Sequence, residues 1–169
     1  MPNWCEGSLK VRGKTEDILR FVKEGIEAYK KIGGAAVETK EWLEIQEDST
    51  VIDICFNHTA TLYFYVANTT KAFLNFRHLI VEWYSLEKDS TDEICIFCIA
   101  QAWGFRKDEW AEIAKKYNLD IKLYGIEQGM GLEEDIWIFD HGTRVEDHSK
   151  LYKDYKNFLW ECPLPCLGG

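Results

Sequence analysis

The residues best suited to binding chemistry surround a glycine turn, E-Q-G-M-G at positions 127–131. Gly129 and Gly131 permit a positive φ or a close backbone approach. Glu127 begins the turn, and Trp103 follows an earlier strand, so the two would present a carboxylate and an aromatic ring at the lip of a cleft. These four residues are the candidate ligand-binding site. The alternative, and the commoner meaning of such a turn, is a hairpin whose glycines only close the chain.

The cysteines and histidines do not predict a metal site. Cys95 and Cys98 form a C-x-x-C inside a strand, where an offset of three residues sends their side chains to opposite faces. The pair Cys162/Cys166 supplies only half of a structural zinc site, and the pair His141/His148 matches no zinc spacing. We therefore predict no metal and no cofactor, and whether either pair binds metal stays open.

Catalytic motifs are also missing from the sequence. No G-x-S-x-G motif is present, and the G-x-G of the turn is followed by a strand instead of the helix that a nucleotide-binding motif requires. Paired carboxylates are abundant in an acidic chain, so their presence does not distinguish an enzyme from a protein without catalytic activity. The sequence leaves enzymatic activity uncertain, with the balance against it.

Composition indicates a single folded domain. The chain has 169 residues and is rich in aromatic side chains: seven Trp, eight Tyr and nine Phe. A formal net charge of −9 argues against direct binding to nucleic acid, because that affinity comes from Lys and Arg. The sequence contains no predicted export signal and no apolar run long enough to cross a membrane, so we expect a cytoplasmic protein with reduced cysteines.

The elements that would position these residues follow from hydrophobic spacing. A strand is predicted over 8–12, where Trp4 and Cys5 in the lead-in are expected to plug one end of the core, and an amphipathic helix over 16–31. Short strands at 41–46, 51–56 and 62–67 predict a meander. Residues 70–84 fit both helix and strand, and we favour a helix that gives way to a strand or loop.

The second half of the chain has a clearer pattern. A buried strand at 94–100, a helix at 108–117, and two strands on either side of the glycine turn are predicted, followed by a charged tail that could pack as a helix. Strand–helix–strand occurs twice, interrupted by hairpins. The predicted fold class is α+β: a ferredoxin-like split β-α-β sandwich, with a mostly antiparallel sheet and helices on one face.

Three stretches together resemble a known family. They are MPNWC at 1–5, AQAWGF at 100–105 and YGIEQGMGL at 124–132, and their order and spacing are similar to those of YubB-type proteins from phages, plasmids and bacterial genomes. The resemblance implies a ferredoxin-like topology without an iron–sulfur cluster, in a family that mostly has no assigned function. Gly104, Phe105 and Arg106 replace the Ser-Pro-Pro usual in such proteins, so the role of those positions does not carry over.

Three hypotheses about function follow. We expect a domain over 1–142 with a C-terminal extension over 143–169 packed on it, acting as a non-enzymatic cytoplasmic module that binds a protein partner or itself. The alternatives are a small ligand-binding domain or enzyme with its cleft at Trp103 and Glu127, and an acidic inhibitor that mimics DNA.

Overall fold

The structure, a computed structural model, describes residues 3–30, 36–37, 40–47, 52–56, 62–74, 82–85 and 92–161. The elements in the first half are β1 (Trp4–Lys14), α1 (Thr15–Gly25), β2 (Ile26–Lys30), β3 (Leu43–Glu47), β4 (Ile52–Phe56), β5 (Leu62–Val66), β6 (Ala72–Leu74) and β7 (Glu82–Ser85). Those in the second half are β8 (Asp92–Ala102), α2 (Lys107–Tyr117), β9 (Asp120–Glu127), β10 (Leu132–Phe139), β11 (Arg144–Asp147), β12 (Lys150–Leu151) and α3 (Tyr155–Glu161).

One large antiparallel sheet organises the molecule. Ten strands belong to it, in the order β11-β10-β9-β1-β8-β6-β5-β2, with β12 added beside β10 and β7 beside β8. Strand β1 lies at the centre and pairs with β8 over its whole length and with β9 over Glu6–Arg12. Strands β3 and β4 form a separate hairpin.

The two faces of the sheet have different surroundings. On one face, Leu9 and Val11 of β1 are fully buried in the core. Helices α1 and α2 cover this face, and Phe21 of α1 packs edge-on against Phe97 of β8 and Tyr117 of α2 at centroid distances of 6.2 and 5.4 Å. The alternate residues of β1 point to the opposite side, which we call the open face.

The predicted ferredoxin-like split β-α-β sandwich of the α+β class is wrong. The described residues form mainly an antiparallel sheet of ten strands with three short helices. Strands β5 and β6 lie between β8 and β2, and β10, β11 and β12 extend the other side. The sequence reading missed this because pairing partners far apart in the chain leave no local signal.

The helix predicted over 16–31 is too long. It ends at Gly25, and the next residues form β2. Ile26 and Ala28 are buried while Glu27 and Tyr29 are half-buried, which is a strand period. A spacing of three between Ile26 and Tyr29 also fits a helix, and the pairing of β2 with β5 decides between the two.

Residues 70–84 contain strand at both ends of the described part. β6 covers 72–74 and β7 covers 82–85, while 75–81 lie outside the described residues. The preferred helix is therefore wrong wherever this segment is described. The predicted meander is also corrected, since β3 and β4 pair with each other whereas β5 joins the main sheet beside β2 and β6.

The C-terminal residues add to the same sheet. β11 and β12 pair with β10, and Phe158 of α3 is fully buried against Ile126 of β9. Among all the described helices, none is long and apolar enough to cross a membrane.

The prediction that Trp4 and Cys5 both fill one end of the core is correct for Cys5 and wrong for Trp4. Cys5 is fully buried in the core, as expected, but Trp4 is 36% exposed on the open face. Adjacent residues of a strand point to opposite faces, so a strand that begins at Trp4 cannot bury both side chains in one core.

Trp110 provides a test of the core described above. The ring is fully buried, and its Nε1 donates to Oε1 of buried Gln101 at 2.9 Å. We expect Trp110→Ala to lower the free energy of unfolding by about 3–5 kcal/mol, because it creates a cavity and leaves the Gln101 oxygen without its donor. Urea unfolding measures this change. Trp160→Ala is the matched control at an 89% exposed ring and should change stability by less than about 0.5 kcal/mol; equal losses in the two variants would contradict the assignment.

Candidate functional site

Glu127, the predicted ligand-binding carboxylate, is buried and occupied by its own turn. It is only 4% exposed. Its Oε1 accepts the Gly129 N–H at 2.9 Å and its Oε2 accepts the Met130 N–H at 2.6 Å. The carboxylate therefore holds the turn in place.

The two glycines serve the geometry of this turn. A Cβ on Gly129 would lie 2.8 Å from Oε1 of Glu127, which is closer than real contacts allow. Gly131 has a φ of +66°, and its carbonyl accepts the N–H of Tyr152 at 2.9 Å. Both positions favour glycine for structural reasons.

Trp103 lies near the turn but has other partners. It is 56% exposed, its backbone is left-handed with a φ of 61°, and its N–H donates to the Asn3 carbonyl at 2.8 Å. The Lys71 ammonium lies 5.0 Å from the ring centroid. Asn3 also approaches Gly129, so Trp103 and the turn are at the same end of the sheet. Within the described ranges, however, no ring contact or hydrogen bond joins Trp103 to Glu127.

A buried carboxylate that sequence reasoning missed lies beside this end of the core. Glu134 on β10 is 7% exposed and accepts the Phe105 N–H at 2.8 Å. It also forms a hydrogen bond with the Cys5 thiol. Gly104 has a φ of +90°, and a Cβ there would lie 2.9 Å from Oε1 of Glu134. The backbone after Trp103 is thus folded tightly around this carboxylate.

The buried thiols of Cys5 and Cys95 are poor nucleophiles. Burial, followed by the charge of Glu134, raises the pKa of the Cys5 thiol well above its usual range. Burial also raises the pKa of Cys95. Because the thiolate is the reactive form, both thiols are structural in this state.

Five aromatic rings lie together on one part of the open face, and we call them the aromatic cluster: Trp4, Tyr29, Tyr63, Tyr65 and Phe73. Phe73 is at its centre, with ring centroids of Trp4, Tyr63 and Tyr65 at 5.7, 5.8 and 6.2 Å. Tyr29 contacts Tyr65 at 4.8 Å. Trp4 and Tyr63 are 36% and 49% exposed. The cluster is thus a packed platform that faces solvent.

A shared carboxylate fixes two rings of the aromatic cluster. The hydroxyls of Tyr65 and Tyr29 lie 3.0 and 3.2 Å from Oε2 of Glu27 and 2.7 Å from each other. Partial burial, with hydrogen bonds to Tyr29 and Glu27, raises the pKa of Tyr65. The Tyr65 hydroxyl therefore stays protonated at neutral pH.

The sequence held only a partial signal for the aromatic cluster. Tyr63 and Tyr65 of β5 are two residues apart, and in a strand this spacing predicts that they share one face. The cluster itself draws on β1, β2, β5 and β6, whose adjacency depends on long-range pairing. Its members could not be grouped from spacing alone.

A mixed-charge cleft of about 500 Å³ lies at the start of α2. Lys107 and Asp147 form an ion pair across it at 3.2 Å. Hydrogen bonds from Ser149, and then Lys107, lower the pKa of Asp147. Lys107 and Asp147 therefore neutralise each other within the cleft.

The metal-binding alternatives have no support in the part of the chain that the structure describes, where no group of three or more His, Cys, Asp or Glu side chains converges. The His148 ring packs against Trp137 at 4.9 Å, and the His141 backbone N–H donates to Asp120. Cys95 is buried and Cys98 exposed, which confirms the predicted opposite faces. Cys162 and Cys166 lie outside the described residues.

Comparisons of the chain with protein-family models, with curated proteins and with solved structures found no match. The YubB-type resemblance therefore stays a prediction from the sequence.

The raised pKa of Glu134 predicts how the stability of the protein depends on pH, and this tests whether the carboxyl group is buried. Burial raises this pKa above the ordinary 4.5, so the folded state holds the proton more tightly than the unfolded state does. The stability contributed by the protonated carboxyl is fully present below about pH 4.5 and is lost as the pH rises through the folded-state pKa. Gln cannot ionise, so the stability of Glu134→Gln relative to the wild type should increase from about pH 4.5 upward.

Urea unfolding of both proteins across this pH range measures the difference. Glu112→Gln is the control, since the Glu112 side chain is 73% exposed, and its difference from the wild type should show no such rise. If the Glu134→Gln difference were independent of pH, the buried carboxylate assigned above would be wrong.

Proposed function

We propose that this protein is a non-enzymatic binding module and that the aromatic cluster is its contact surface for a protein partner. The observation that carries the proposal is the exposure of Trp4 and Tyr63 on the open face of the sheet, where both pack against Phe73. Large exposed aromatic side chains in one patch are typical of interaction sites.

The packing of the aromatic cluster suits binding energetically. Edge-to-face and tilted ring contacts already restrict the rings, and the hydroxyls of Tyr65 and Tyr29 donate to Glu27. A partner would therefore lose little side-chain entropy by ordering them. Aromatic residues held in this way are typical of the residues that dominate binding energies.

Charge favours a particular kind of partner. Glu27 lies within the aromatic cluster, and exposed Glu6 follows Phe73 and Ala100 across the same row of the sheet. The complementary surface would combine apolar groups with basic side chains. The free thiols Cys5, Cys95 and Cys98 suit the reducing cytoplasm that we propose as the location.

The other two functional hypotheses have less support. The carboxylate of Glu127 is used by its own turn, which weakens a ligand cleft shared with Trp103. Mimicry of DNA requires a continuous acidic face, whereas acidic side chains here pair with basic ones, as in Arg12–Asp120 and Arg144–Glu146. A YubB-type phage or plasmid context remains part of the proposal and rests on the sequence resemblance.

The test is affinity purification with Trp4→Ala/Tyr63→Ala, followed by calorimetry with the purified partner. We expect the double substitution to weaken partner binding by at least about 2 kcal/mol, as for truncation of hot-spot aromatics. Trp160→Ala, at an aromatic residue that lies outside the aromatic cluster and is more exposed than Trp4 or Tyr63, should bind as the wild type does.

Two results would contradict the proposal. One is a partner that binds wild type and double variant equally. The other is a dimer, seen by light scattering, that is lost in the double variant: the aromatic cluster would then bind a second copy of the chain instead of a different protein.

A further inference from the structure

Two lysines face each other on another part of the open face. Lys10 of β1 is directly opposite Lys122 of β9 in the antiparallel register, and Trp137 of β10 follows Lys122 in the same row. Lys10 is six residues along β1 from Trp4, which is about 20 Å in an extended strand. The lysine pair is therefore separate from the aromatic cluster.

This pair is electrostatically unfavourable as it stands. Directly opposed side chains of an antiparallel pair have Cβ atoms about 5 Å apart, and like charges there are destabilising. Lys122 places its ammonium 3.6 Å from the centroid of the Trp137 ring, which is a cation–π contact. Across the described segments, neither lysine forms an ion pair with a carboxylate. An anion between them would relieve the repulsion.

A cavity of about 240 Å³ opens between the lysines. The described residues that line it are Ser8, Lys10, Lys122, Tyr124, Asp135 and Trp137. This volume is about eight times the 30 Å³ that a water occupies in the liquid. It accommodates an anionic group together with a few more atoms.

The other polar groups of the cavity leave the lysines available. Asp135 is the one carboxylate among the described residues of its lining, and its Oδ1 accepts the Trp137 indole N–H at 2.5 Å. The Tyr124 hydroxyl donates to Glu133 at 3.0 Å. Ser8 lies beside Lys10 on the same face of β1 and adds a hydroxyl donor.

We infer that this cavity binds the phosphate group of a small phosphate monoester. Above its second pKa of about 6, a phosphate monoester carries close to two negative charges and three acceptor oxygens. It can therefore engage both ammonium groups at once, and its charge exceeds that of the nearby Asp135. A carboxylate ligand has a single charge and matches the pair less well.

The site is independent of the proposed function. Substitution of Trp4 and Tyr63 should leave phosphate binding unchanged, and substitution of Lys10 should leave the aromatic cluster intact. Failure of one proposal is thus distinguishable from failure of the other.

The experiment is isothermal titration of the full chain with phenyl phosphate at pH 7.5 and low salt. We expect Lys10→Met and Lys122→Met each to weaken binding about tenfold, because each removes one charge-assisted contact. Lys14→Met is the matched control: Lys14 is exposed on the same face of β1 and does not line the cavity. It should bind as the wild type does. Lys10 is exposed and forms no side-chain hydrogen bond or ion pair within the described segments, so Lys10→Met should remain folded by circular dichroism.

Two further ligands test the chemical class. Benzoate should bind at least about tenfold more weakly than phenyl phosphate, since it carries one charge. A ten-residue oligothymidine should not compete with phenyl phosphate. If Lys14→Met weakened phenyl phosphate binding as much as Lys10→Met does, the attraction would be general electrostatics and the proposal would be overturned. Unchanged affinity in Lys10→Met and Lys122→Met would also overturn it. So would equally tight binding of benzoate, or displacement of phenyl phosphate by the oligonucleotide.

Discussion

The structure depends on the pairing of β1 between β8 and β9. Eleven residues of β1 pair with β8, and seven of them also pair with β9. Because a strand alternates its side chains, this register sends Cys5, Leu9 and Val11 into the core and the even-numbered residues of β1, Trp4 and Lys10 among them, to the open face. A shift of one residue would exchange the two sets, so the burial of Leu9 and the exposure of Trp4 have one cause.

The same alternation separates structural carboxylates from accessible groups. Glu127 and Glu134 lie on the core side, where backbone N–H groups hold both of them. Of the two, only Glu127 was a candidate binding residue in the sequence, and the hydrogen bonds of both carboxylates fix a turn and a tight segment of backbone. The open face instead offers exposed rings and the lysine pair, Lys10 and Lys122. Neither Trp4 nor the two lysines belong to the main buried core.

Local patterns in the sequence predicted α2 and the strands on either side of the glycine turn, because each has a clear period in a short window. They failed at β2, because the spacing of Ile26 and Tyr29 fits a helix as well as a strand. They also failed at Trp4, because its neighbour Cys5 points into the core and Trp4 therefore points to the opposite face. The aromatic cluster and the burial of Glu134 arise from segments far apart in the chain, and a single sequence carries no record of such pairings. For the same reason the ferredoxin-like prediction did not anticipate strands between β8 and β2.

An alanine scan of β1 from Trp4 to Val11, with the free energy of unfolding measured in urea, tests the central claim that one face supports the fold and the other is free to bind. The account predicts a period of two: Leu9→Ala should lose about 2–5 kcal/mol, whereas Lys10→Ala and Trp4→Ala should each lose much less. A flat profile, or a loss at Trp4 equal to that at Leu9, would contradict it.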